Sequence, residues 1–164
     1  VSFSNAYGNN PYYFYPKEVD KNAVDLRKVL CRTFCGEEKI LKEEELDMPV
    51  YDVFAKGDFG NATKHITFAA LQLNPIDALF EVHEAIKITQ RTVSFRLEFE
   101  NTSVLPFEQL FGPMVGVVLS SDVLELFNLF SFVIDFAPQE GLSSELEFTL
   151  VTVQALYKYI SSIK

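Results

Sequence analysis

The sequence predicts a mainly β fold: an antiparallel, jelly-roll-like β-sandwich with a short N-terminal helix and an extended N-terminal arm. Three observations carry this expectation. Thr92 to Glu100 alternates strictly, with Val93, Phe95, Leu97 and Phe99 on one side and Thr92, Ser94, Arg96, Glu98 and Glu100 on the other. That is the period of a strand with one dry face. Glu145 to Leu150 repeats the pattern through Leu146, Phe148 and Leu150. About eight strand-like segments then follow one another with turn-formers at short intervals, as in sandwiches and jelly rolls. One-sided exposure favours antiparallel over parallel pairing. A helix that precedes the strands instead of alternating with them argues against a doubly wound α/β arrangement.

Residues 1–18 read as an N-terminal aromatic arm. Tyr12, Tyr13, Phe14 and Tyr15 stand between Pro11 and Pro16, a spacing that permits only a short edge strand. The run reads either as a loose terminus or as an assembly arm that packs its rings on its own body or a neighbouring subunit. Residues 19–47 form a helical segment and charged linker. Asp20 to Cys35 carries Ala23, Leu26, Val29, Leu30 and Phe34 at helical spacing, with Asp20 or Asn22 as N-cap and Gly36 as the stop. Glu43, Glu44 and Glu45 then mark an exposed, solvated stretch.

Residues 48–164 read as the β-sandwich body. Val50 to Ala55 is a short strand. Lys64 to Leu73 alternates until Asn74-Pro75 stops it. Pro106 to Gly112 reads as loop, and Val115 to Leu119 as a short buried strand. Ser120-Ser121-Asp122 is a turn able to cap a brief helix to Leu129. Phe130, Phe132, Ile134 and Phe136 make another strand, and Pro138 to Ser144 a loop around Gly141. After Leu150 the apolar positions shift to Val151, Val153, Ala155 and Tyr157, the phase slip of a bulge or of a strand changing sheets. Residues 78–87, 122–129 and 151–163 stay open between helix and strand.

A net charge of -9 and a pI near 4.7 speak against a nucleic-acid partner and an anionic membrane surface, since both need clustered Lys and Arg. No run reaches the ~18 apolar residues of a membrane span. The opening residues lack a secretory leader pattern. A start at Val1 fits either a removed leader or a lost initiator Met, so compartment stays open, with extracellular, cell-surface or virion settings favoured. Sixteen Phe and no Trp suit a packed core better than a sugar-stacking platform.

Cys31 and Cys35 are spaced too far apart on a helix for an internal disulfide. They read first as free thiols, then as intersubunit thiols, and last as metal ligands, because the second ligand pair of a zinc site is missing. If residues 78–87 form a strand, Glu81 and His83 share one face, the beginning of a base or metal site without a third partner. Asp52 and Asp58 lack the spacing of a calcium loop. Asn61-Ala62-Thr63 and Asn101-Thr102-Ser103 match the N-glycosylation pattern in expected loops. No nucleophile elbow, phosphate loop, dinucleotide fingerprint or H-E-x-x-H occurs. No cofactor, metal or catalytic residue is therefore expected.

A polar-aromatic arm, a small Cys-bearing helix and a jelly-roll-like body resemble, at the level of architecture, subunits of coats, capsids and extracellular fibres. The expected function is a non-enzymatic structural subunit, forming a homo-oligomer or polymer through its arm and its sheet edges. The alternative is a non-catalytic ligand-binding sandwich, such as a carbohydrate-binding module, with its small-molecule ligand unspecified.

Overall fold

A computed structural model describes residues 26–35, 40–98, 105–121, 126–138 and 140–163. The fold is helical, which overturns the predicted β-sandwich. Among the described residues there are seven α-helices, one 3-10 turn at Cys31–Thr33 and no strand. The nearest approach to a sheet is an isolated antiparallel bridge between Leu30 and Pro49. The helices are α1 (Glu43–Leu46), α2 (Val50–Phe54), α3 (Gly60–Ala70), α4 (Pro75–Arg96), α5 (Phe107–Leu119), α6 (Leu126–Phe136) and α7 (Ser144–Ser162). The described residues therefore form neither a jelly roll nor a sandwich and present no sheet edge.

The organising stretch shows why the class was misread. Thr89, Val93 and half-buried Leu97 face the core at intervals of four, whereas Phe95, two residues on from Val93, is 79% exposed. Two residues of an α-helix turn through about 200°, so an alternating apolar set splits between opposite faces. Phe99 and Glu100 lie outside the described residues. In α7, Leu146, Leu150, Val153, Leu156 and Ile160 are buried while Phe148 is 45% exposed. The apparent phase slip after Leu150 is this helical stripe passing through spacings of three and four.

The other predicted strands are helices too: Val50 to Ala55 is α2, Lys64 to Leu73 falls largely in α3, Val115 to Leu119 ends α5, and Phe130 to Phe136 ends α6. The predicted loop at Pro106 to Gly112 is the start of α5, despite Pro113 within that helix. Pro113 forfeits one backbone bond, and burial on all sides outweighs the loss. Of the predicted Asp20 to Cys35 helix, residues 20–25 lie outside the described set. The remainder is a turn followed by the 3-10 turn.

Capping sets the boundaries of the two long helices. The Asn74 side chain accepts from the Ile76 amide at 2.8 Å, with Pro75 in the first turn. Ser143 accepts from the Leu146 amide at 3.3 Å, and Glu145 and Glu147 in the first turn complement the helix dipole. At the centre runs α5, buried from Gly112 to Ser121 and packed by α2, α3, α4 and α7. α6 closes the core against α3, α4 and α7. No helix among the described residues is long and apolar enough to cross a membrane.

Candidate functional site

Helix α4 redistributes the histidine and carboxylates that the sequence grouped together. As a helix it sends Glu81 and His83 to different neighbours. Glu81 reaches α3, where its Oε2 lies 2.7 Å from His65 Nδ1, both side chains being 28% exposed. An ionised carboxylate only accepts, so Nδ1 carries the proton in this pair. The edge of the His65 ring meets Phe68 at 5.5 Å between centroids. His83 instead reaches α7, with Nε2 3.5 Å from Glu145 Oε2 and Nδ1 3.4 Å from Thr149 Oγ1. Glu84 pairs with Lys87.

A hydroxyl, an imidazole and a carboxylate in this order have the outline of a nucleophilic triad. Thr149, however, is fully buried, and its hydroxyl donates to the Glu145 carbonyl at 2.9 Å. A nucleophile needs open access and an uncommitted proton, and Thr149 has neither. Both histidines thus tie α4 to its flanking helices. No group of three or more His, Cys, Asp or Glu able to hold a metal occurs among the described residues. Asp52 pairs with Lys56 and Asp58 with Arg96.

The two thiols are buried, with Cys31 closed off entirely and Cys35 3% exposed. Burial first, and the nearby Glu45 charge second, push the Cys31 thiol up to about 12. Asn61 is exposed at the start of α3 rather than in a loop. Thr63, the third position of its acceptor pattern, is buried and donates its hydroxyl to the Gly60 carbonyl at 2.7 Å. Asn101 lies outside the described residues, as do Tyr12, Tyr13, Phe14 and Tyr15 of the arm.

A feature missing from the sequence reading is a seam of rings where α5 meets α7. Phe148 meets Phe107 edge-on at 6.1 Å, Phe107 lies 5.5 Å from Phe111, and Phe111 meets Tyr159 edge-on at 5.6 Å. Edge-to-face rings at these separations attract beyond their area burial. Phe107 and Phe148 nevertheless remain 40% and 45% exposed. At the far end the Tyr159 hydroxyl donates to the Thr33 carbonyl at 3.4 Å. Its signal in the sequence was the spacing: Phe107 and Phe111 are one turn apart, and Phe148 and Tyr159 three turns apart. Read as a loop and as an inward strand residue, Phe107 and Phe148 gave no such hint.

No protein-family model matches the chain, and searches of curated proteins and of solved structures return no match.

Proposed function

We propose that this protein is a non-catalytic, self-associating subunit whose helical body presents the α5–α7 aromatic seam to an aromatic segment of another copy. The observation that carries this reading is the chain of four rings, with Phe107 and Phe148 at one end still open to solvent. Exposed contiguous apolar surface is the usual mark of a docking site. The occupant proposed is the run Tyr12 to Tyr15 of a neighbouring copy. Its rings match the seam in kind, and aromatic anchors give large contact area at small entropic cost.

At its far end the seam meets the segment that follows the run in sequence, since Tyr159 there donates to the Thr33 carbonyl. With no strand among the described residues, the arm in this reading packs its side chains on the seam instead of adding a strand to a sheet.

Light scattering coupled to size exclusion tests the reading. The intact chain is expected to be a dimer or larger, and Phe107→Ser with Phe148→Ser is expected to yield monomer while keeping the helical spectrum. Replacing all four of Tyr12 to Tyr15 with Ser is expected to do the same. An intact chain that stays monomeric at high concentration overturns self-association. Association that survives both sets of changes overturns the seam.

A further inference from the structure

The outer face of α7 carries apolar residues in a regular line. Leu146, Leu150, Val153, Leu156 and Ile160 fill the inner side of this helix. Opposite them, Phe148 and Val151 are 45% and 57% exposed, and Ala155 is partly open. Ser144, Phe148, Val151, Ala155, Lys158 and Ser162 follow one another at alternating spacings of four and three. Such positions form one stripe along a helix. Single exposed apolar residues are ordinary. Three consecutive ones at this spacing are the pattern by which one helix packs on another.

Charge supplies the second observation. The same face is acidic at its start and basic towards its end, with Glu147 beside Phe148 and Lys158 following Ala155 in the stripe. Both are exposed, and neither forms an ion pair among the described residues. Glu145, by contrast, is turned to His83. A face with an acid at one end and a base at the other complements its own inverted copy. Parallel pairing would set Lys158 on Lys158 and Glu147 on Glu147, and would align the two helix dipoles unfavourably.

We infer that α7 pairs with α7 of a second copy, antiparallel about a two-fold axis, with Val151 opposite Ala155. In that register Phe148 lies over the small Ala155 of the second copy, where a ring finds room. Glu147 falls one residue from level with Lys158 of the second copy, on the same side of the helix pair, and the two-fold repeats this contact. Charges at such flanking positions set the orientation of paired helices. The contact is isologous, the commonest kind in homodimers. With a net charge of -9 two copies repel each other as wholes, and this face brings them together with its acid and base matched. The pairing adds a second surface to the self-association reading. It does not rest on the ring seam, in which Val151, Ala155 and Lys158 take no part; Phe148 belongs to both and stays unaltered in the test.

The test mixes full-length Val151→Cys with full-length Ala155→Cys under oxidised glutathione and follows the disulfide-linked dimer on non-reducing gels. The native thiols are buried, so the introduced ones react. The mixture is expected to crosslink about tenfold or more faster than either variant alone, because pairing raises the local thiol concentration. Lys158→Glu added to both chains is expected to slow crosslinking about fivefold, the scale of two exposed ion pairs lost. Glu147→Lys added in turn is expected to restore it. Val151→Cys that crosslinks alone as fast as the mixture overturns the antiparallel register. A mixture no faster than the same chains in urea overturns the pairing, and a rate indifferent to Lys158→Glu overturns the charge match. Repeating the mixture with Tyr12 to Tyr15 replaced by Ser separates this contact from the seam. The crosslink is expected to persist there, and its loss would overturn a pairing that stands apart from the arm.

Discussion

The Arg96 guanidinium grips Asp58 with two parallel bonds, Nη2 to Oδ1 at 2.7 Å and Nε to Oδ2 at 2.9 Å. The same group reaches Glu45 Oε1 at 3.0 Å and the Ile40 carbonyl at 3.2 Å, and lies 5.1 Å from the Phe59 ring centre. One side chain at the end of α4 thus holds α1, Ile40 just before it, and the turn before α3. Arg96→Met strands Glu45 and Asp58 close together, at an expected loss of about 3 kcal/mol. Urea unfolding at pH 7 measures it, and a loss within 0.5 kcal/mol, typical of neutral surface changes, would show the clamp to be idle.

The same clamp predicts an acid dependence. Burial by itself raises the Glu45 and Asp58 carboxyls, but the Arg96 hydrogen bonds and charge outweigh it and hold both below their ordinary 4.5 and 3.8. Folded values below unfolded ones mean the unfolded chain binds protons first as pH falls. The stabilisation is therefore complete above the ordinary values and is lost as pH drops through the depressed ones. Unfolding free energy measured from pH 6 down to pH 2 is expected to fall less steeply in Arg96→Met than in the unaltered protein. Identical acid slopes would remove the clamp as the source.

A methyl group at Gly116 would lie 2.4 Å from Cζ of Phe54. Phe54 is fully buried and packs 4.6 Å from Phe59, so its ring has nowhere to retreat. Gly116→Ala gains up to about 1 kcal/mol of helix propensity, against an overpacking cost of about 1–3 kcal/mol. Thermal unfolding is expected to show net destabilisation, partly restored when Phe54→Leu is added. Greater stability in the single variant would mean that α2 and α5 separate easily.

Val93 and Phe95 test the register of α4 directly. Val93→Ala removes two buried methyls and is expected to cost about 2 kcal/mol. Phe95→Ser, at a 79% exposed site, is expected to change stability by under about 0.5 kcal/mol. Denaturant midpoints decide it, and a larger loss at Phe95 would overturn this helical register.

These two residues also explain what was legible. A window of nine residues containing Val93, Phe95, Leu97 and Phe99 satisfies a two-residue period, yet Val93 and Leu97 alone satisfy a helical one. Helical periodicity needs 11–18 residues to separate from alternation, and Ala78, Leu79, Val82, Ala85, Ile86, Thr89 and Val93 supply it when α4 is read whole. β-branched and aromatic side chains lowered the local helix preference by tenths of a kcal/mol each, far less than core burial returns. The turn-formers were informative in place but not in kind: Asn74 and Ser143 are helix caps. The partners of His65, His83 and Arg96 arise from helix packing that no local pattern encodes.

The thiols give the last prediction. Cys31 has no exposed surface, Cys35 has 3%, and the Cys31 thiol is pushed up to about 12. Alkylation requires the thiolate, and at pH 8 a thiol raised so far is almost entirely protonated. The Cys31 amide also donates to the Met48 carbonyl at 3.1 Å and the Cys35 amide to the Cys31 carbonyl at 2.9 Å, so the local backbone is fixed. Iodoacetamide should therefore leave both cysteines unlabelled in the folded protein for as long as the core holds. In urea both should label together, with a denaturant midpoint equal to that of helix loss. Fast labelling of either cysteine without denaturant would mean that the 3-10 turn opens on its own. A dimer on a non-reducing gel, abolished by Cys31→Ser or Cys35→Ser, would make that cysteine an intersubunit thiol.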